Sequence, residues 1–388
     1  MSVRTIYLFI VGVIFFFSCK NKEEIISNNF TSNPLVFSSD TILFDTLITT
    51  GKVSITQRLK VLNTSNNSVL INNIFLGGGS QSDYDIFLNG QENYFFKDVK
   101  LLGKDSMYIL VNINPKVNNS NNVFIKEDSI VFQIANFNNK VTLLAWGQDA
   151  YYFNNDTIKS DFTFKNDKPN VIYGNLVIDT LVKLKAISNT KFYLYNGAKI
   201  LNKGTFEFIG DKSTPIVLQS LRLDDKFENQ PGLWNGIYLN GTGNNIFKWV
   251  NIKNAIVGLE INNKLCDINI SHCKFLNFSG YGLHLIQSNN VFIDNSLFYK
   301  SLNELLYSED LNSLKVYNNT FANISSGFSR QTTSVTISSK ISDLNFVNNI
   351  VWGDLQNEFS NKSNSPTTIN VTYNLFKAKE IDLNNTNN

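Results

Sequence analysis

The chain has 388 residues, a formal net charge of +2 and only 17% charged side chains. Its length supports two or three domains with substantial cores, and the lack of a basic stripe interleaved with aromatics makes nucleic acid a poor candidate partner. Asn makes up about 15% of the residues, and with Gly it separates short runs rich in Phe, Ile, Val and Tyr. That mixture of turn formers and strand formers reads as all-β.

The first element is the apolar run from Ile6 to Phe17, preceded by Arg4 and closed by Ser18 and Cys19. At about 1.5 Å per residue it would reach roughly 18 Å, short of the ~30 Å bilayer core. A positive start and a short apolar stretch make a secretory signal. The usual small-x-small cleavage site is replaced by Phe17-Ser18-Cys19. This resembles a bacterial lipobox, with Phe16 where leucine is commoner. The resemblance implies that residues 1–18 are removed and that Cys19 is lipidated (a palmitate-type anchor). The alternative is an ordinary signal with an incidental cysteine. Acyl chains of that kind satisfy the two-signal requirement for stable anchoring, so the expected partner is the membrane, reached through Cys19. Residues 19–33 form a polar tether. Within it Lys22-Glu23-Glu24 resembles the lysine-plus-acidic-pair signals that send some gram-negative lipoproteins to the outer face of the outer membrane. A plain charged linker is the other reading.

Residues 34–150 contain alternating runs such as "ITQRLKVLNT", "SVLINNIFL", "DSMYILVNINP" and "KVTLLAWG", separated by Asn, Gly and Ser. About seven strands in a β-sandwich are expected. Gln57–Asn63 followed by "SNNSVLINNIFLGGG" resembles the Ig-like modules near the N-terminus of many secreted bacterial proteins, which implies a spacer.

From Tyr151 to residue 378 the pattern becomes a repeat. Aligning "INISHCKFLN", "VFIDNSLFYK", "LKVYNNTFAN", "LNFVNNIVWG" and "INVTYNLFKA" gives a column of Ile268, Val291, Leu314, Leu344 and Ile369. Two residues on stand Ile270, Ile293, Val316, Phe346 and Val371, and seven on stand Phe275, Phe298, Phe321, Val351 and Phe376. Phe247 and Ile252 extend these last two upstream, and a further column runs Ile237, Leu259, Leu283, Leu306. A period of about 23 residues fits a right-handed parallel β-helix, a solenoid in which stacking buries what no single coil can. Five residues after the first column stand Cys273, Ser296, Asn319, Asn349 and Asn374, placed at the turn, where stacked amides can bond from coil to coil. Residues 379–388 read as a disordered tail.

The upstream segment carries Gly204 to Gly210, Pro215-Ile216 and Pro231-Gly232-Leu233-Trp234-Asn235-Gly236-Ile237. Together with the lipobox and the sandwich-like segment, it resembles right-handed parallel β-helix lipoproteins of gram-negative bacteria. The likeness implies the fold but no defined activity.

Chemistry on a β-helix needs acids or metal ligands clustered on neighbouring coils of one face. Stepping by the repeat, Glu260 falls opposite Leu283, Asp267 opposite Asn290 and Ser313, and Asp294 between Ser271 and Tyr317. No acidic column results, so neither catalytic residues nor a cofactor are expected. His272 and His284 have no ligand cluster around them, and no metal site follows. Cys266 and Cys273 could bridge but read as two buried thiols. The densest polar cluster is Arg222, Asp224, Asp225 and Glu228 ahead of Trp234, a candidate loop for gripping a sugar or cation. A solvated loop with Trp234 packed on the next coil is the plainer reading. Glu304, Glu309 and Asp310 form a second acidic patch at an expected turn. The chain is therefore expected to be a lipid-anchored outer-membrane protein that binds a glycan or a protein. A carbohydrate-active lyase or hydrolase, or an accessory subunit of an outer-membrane assembly, are the alternatives.

Overall fold

The computed structural model describes residues 26–27, 30–49, 55–115, 117, 122–324, 330–363 and 368–378. The signal segment, Cys19, Lys22-Glu23-Glu24 and the tail 379–388 lie outside them. The chain is all-β and divides into two units.

The N-terminal unit is a sandwich of two sheets. One has five strands in the order Leu35–Phe37, Thr56–Asn63, Ser106–Ile113, Tyr84–Leu88, Gln91–Glu92. The other has six: Ile26–Ser27, Ser68–Leu76, Phe124–Ile134, Phe137–Gln148 and Thr41–Ile48 in order, with Phe95–Leu101 also paired to Ser68–Leu76. Alternating residues turn inward, as a half-buried strand requires. Leu59, Val61, Ile86, Ile109 and Val111 from one sheet and Ile71, Ile74, Ile130 and Phe132 from the other are fully buried. Phe37 meets Phe132 across the gap, with ring centroids 4.8 Å apart. Among the described residues the two sheets hold eleven strands where about seven are expected. The run "LVFSSDTILFDTL" splits into two strands. "FFKDVKL" at Phe95–Leu101 escapes a pattern reading because it is exposed along most of its length. Ile26–Ser27, inside the expected tether, pairs in parallel with Ser68 and Val69.

The second unit is the β-helix, with three faces per coil. Its first face is a ten-stranded, all-parallel ladder from Tyr151–Asn154 to Leu375–Phe376. The other two faces merge into one 15-stranded sheet, because Leu283–Asp294, Leu306–Tyr317 and Val335–Val347 each run through the bend between them. The sequence columns are the rungs of these ladders. Ile268 pairs with Val291, Val291 with Leu314, Leu314 with Leu344 and Leu344 with Ile369. Phe275, Phe298, Phe321, Val351 and Phe376 follow one another on the first face. Phe247 pairs with Ile270, and Ile252 with Phe275.

At the bend between the third and first faces six successive coils turn on one residue in left-handed conformation: Trp249, His272, Asn295, Asn318, Asn348 and Tyr373, with φ between 49° and 58°. Asn tolerates that region better than most residues, which accounts for part of the Asn excess. The bonding ladder begins one residue later. The backbone N–H of Cys273 donates to Ser296 Oγ at 3.0 Å, that of Ser296 to Asn319 Oδ1 at 2.8 Å, that of Asn319 to Asn349 Oδ1 at 2.9 Å and that of Asn349 to Asn374 Oδ1 at 2.8 Å. The amide of Asn319 also donates to Asn349 Oδ1, and that of Asn349 to Asn374 Oδ1, both at 3.1 Å. The stacked amides thus satisfy buried backbone groups as well as each other. His272, packed against Trp249 with ring centroids 4.5 Å apart and planes tilted by 36°, is a turn residue. At the N-terminal end Phe153 and Phe162 pack edge-on against Phe164, which meets Phe192 at 4.6 Å.

Cys266 and Cys273 are buried free thiols, and burial pushes both up to about 12. Almost no thiolate is present at neutral pH, so neither is a nucleophile.

Candidate functional site

The loop singled out by its acids folds back on itself. Arg222 forks onto Asp224, with Nε 3.1 Å from Oδ2 and Nη2 3.3 Å from Oδ1, and its guanidinium lies 3.9 Å above the Phe227 ring centroid. Asp225 opens a one-turn 3-10 helix through Phe227. The Asn254 amide staples the loop down by donating to the carbonyls of Glu228 and Gln230 at 2.9 and 2.8 Å. Trp234 is 1% exposed, and its Nε1 donates to the Lys253 carbonyl at 2.9 Å. The indole is core and offers no stacking face, which leaves Asp225 and Glu228 as solvated carboxylates.

A different set converges on the second face. Here the coil step is 24 residues, so Glu260 pairs with His284, not with Leu283 as a 23-residue step would have it. The outward column runs Tyr238, Glu260, His284, Tyr307, Thr336. A neighbouring column crosses the preceding turn, where the Gly282 N–H donates to the Glu304 carbonyl at 3.1 Å, which sets Tyr281 beside Glu304 one coil on. Only glycine fits at Gly282, because a Cβ there would stand 2.6 Å from the Leu305 carbonyl oxygen. That close approach of the coils brings the two columns together.

The contacts are direct. His284 Nδ1 lies 2.9 Å from Glu260 Oε2, both side chains being about four-fifths buried (16% and 23% exposed). Tyr281 stacks on the His284 ring at 4.3 Å and 11°, and Tyr307 flanks both, 5.8 Å from Tyr281 and 5.6 Å from His284. Glu304 is 6% exposed; its Oε1 accepts from Thr336 Oγ1 at 3.4 Å, while its Oε2 has no hydrogen-bond partner. Burial raises the Glu304 carboxyl above the usual carboxylate range, against the weaker pulls of its own backbone N–H, of the Thr336 hydroxyl and of His284. Burial likewise raises the Tyr281 and Tyr307 phenols, and Glu304 and Glu309 respectively add to the effect. Glu309 and Asp310 lie within Leu306–Tyr317, where that strand runs through the bend between the second and third faces, and Asp310 is taken by Lys264 at 2.7 Å.

Glu304 yields a test of this electrostatic picture. A carboxyl raised in the folded state binds its proton more tightly there than in the unfolded chain. Stability therefore falls as pH rises from the unfolded carboxyl value, about 4.3, through the raised folded one, and the deficit persists above it. Glu304→Gln should unfold at nearly the wild-type temperature near pH about 4 and at a higher temperature near pH about 8. A difference that does not change with pH would show that Glu304 carries no raised carboxyl.

The site was within reach of the sequence. The column Ile237, Leu259, Leu283, Leu306 already steps by 22, 24 and 23, and the residue after each member is Tyr238, Glu260, His284 and Tyr307. Stepping the acids by a uniform 23 concealed it. Among the described residues no group of three or more His, Cys, Asp or Glu is arranged to hold a metal ion.

Residues 226–374 match the family model for a right-handed β-helix region. The coils between Tyr151 and that stretch pair in the same parallel manner. No curated protein matches the sequence. Solved structures give partial likenesses: the VesB protease of Vibrio cholerae at 12% identity over 30% of this chain and 32% of that one, TM-score 0.21; and the PapD-like domain 7 of human CEP192 at 10% identity over 34% and 97%, TM-score 0.20. A protein of unknown function from Porphyromonas gingivalis W83 shares 11% identity over 33% and 61%, TM-score 0.21. The chain spans less than a third of the VesB length, and likenesses at these scores bear on neither activity nor partner.

Proposed function

We propose that this protein is a lipid-anchored surface module of a gram-negative outer membrane whose β-helix binds a glycan through the patch formed by Tyr281, His284, Tyr307, Glu260 and Glu304. The observation that carries the reading is the meeting of aromatic rings and carboxylates on the outward side of three successive coils. Aromatic rings supply apolar faces for the C–H surfaces of a sugar, and carboxylates accept from its hydroxyls. A regular solenoid suits the task because its coils hold the groups at fixed spacing with no loop to order on binding. The sandwich then serves as a spacer between the lipid and the binding face.

A polysaccharide array with the soluble chain tests the binding reading. Tyr307→Ala should lose the signal, while Asp224→Asn, Asp225→Asn and Glu228→Gln together should keep it. Binding that follows the triple variant instead would move the site to the loop before Trp234. The anchor is tested separately: Cys19→Ala should leave the protein soluble in the periplasm or stalled with its signal attached. A variant that stays with membranes through a carbonate wash would overturn the lipobox reading.

The catalytic alternative has one observation in its favour. Glu304, a carboxyl held toward its protonated form, lies two coils from Glu260, and two carboxyls in unlike environments form the pattern of an acid and a base. Reducing ends released by the wild type and not by Glu304→Gln would convert the binding module into a hydrolase.

A further inference from the structure

The patch has a sign as well as a shape. Glu260 stands two coils before Glu304 and Glu309, with His284 on the coil between, and among the described residues none of the three glutamates forms an ion pair with lysine or arginine. The His284 imidazole is engaged by Glu260 at 2.9 Å and covered on one face by Tyr281. The nearby lysine, Lys264, is spent on Asp310. Glu304 Oε2 is buried without a hydrogen-bond partner. Carboxylates unmatched by cations, set among tyrosine rings, are the chemistry that recognises an ammonium group, through charge-assisted hydrogen bonds and attraction to the ring faces. The same arrangement repels uronates and sulfated sugars, whose recognition requires basic side chains.

We infer that the Glu260–Glu304–Glu309 patch with its tyrosines takes a sugar chain bearing free amino groups. This rests on the glycan reading of the same site and goes beyond it by fixing the charge of the ligand. Bulk charge does not account for such a preference, since the chain as a whole carries +2 and would repel a polycation weakly.

Three oligosaccharides of equal length separate the possibilities: a chitosan hexamer, the fully N-acetylated hexamer with the same backbone, and a galacturonate hexamer. Titration calorimetry on the soluble chain should show the chitosan hexamer binding about tenfold or more tightly than the acetylated one, and the galacturonate not at all. Replacing Glu260, Glu304 and Glu309 by Gln should remove that preference, the chitosan and acetylated hexamers then binding alike, while circular dichroism stays as in wild type. Equal affinity for the amino and acetylated hexamers, binding of galacturonate, or a preference that survives the triple Gln variant would each overturn the inference. Those results would leave the glycan reading standing, whereas a chain that binds no polysaccharide on the array removes that reading and the inference together.

Discussion

Phe298→Ala is expected to destabilise the β-helix by about 3–5 kcal/mol, the range for truncating a fully buried phenylalanine. The ring is 0% exposed and sits mid-ladder, stacked at 4.9 Å on Phe275 below and at 4.7 Å on Phe321 above. Because the coils are hydrogen-bonded rung to rung on all three faces, they cannot close on the vacancy, and both neighbouring rings lose a contact. Asn240→Ala is the matched control. Asn240 is exposed at a turn and its backbone bonds survive the change, so the effect should stay within about 0.5 kcal/mol. Urea unfolding of the two variants side by side decides the matter, and equal midpoints would contradict the column assignment.

The interior of the solenoid was legible in the sequence because burial leaves a period. Phe275, Phe298 and Phe321 recur at the same interval, and each had to be apolar for its coil to stack. The exterior has no such constraint. Glu260, His284 and Tyr307 share a column without sharing chemistry, so only an exact register could unite them, and one additional residue in a turn shifts that register. Glu304 lies in the turn itself, where no alternation marks which side chains turn inward. The sandwich strand Phe95–Leu101 escaped for the same reason, being exposed along most of its length. Trp234 was open to both readings: an aromatic beside acids offered a binding face, but the plainer reading, an indole packed on the next coil, is the one its burial bears out.

The longer coil between Phe321 and Val351 brings a second large effect. Most of its additional residues fall in the connection between Thr320–Asn323 and Val335–Val347, and a buried ion pair closes the turn formed by the described residues there. Arg330 and Glu358 are 1% and 0% exposed. Arg330 forks onto both Glu358 oxygens and also donates to the carbonyls of Asn323 and Thr332. Glu358 further accepts from the Ser334 N–H at 3.0 Å, the Ser334 hydroxyl at 2.6 Å and the Leu355 N–H at 2.7 Å. One carboxylate therefore ties residues 330–334 to residues 355–358 on the following coil. Removing either partner leaves a buried charge without its counterpart, so Arg330→Met and Glu358→Leu should each destabilise by about 3–5 kcal/mol. The double variant should be far less destabilised than the sum, because two apolar groups of similar volume leave no stranded charge. Its remaining loss comes from the Ser334 and Leu355 donors, which no longer have an acceptor. Urea unfolding of the four proteins gives the coupling directly. Additive losses, or single variants within about 1 kcal/mol of wild type, would mean that the pair does not hold the turn.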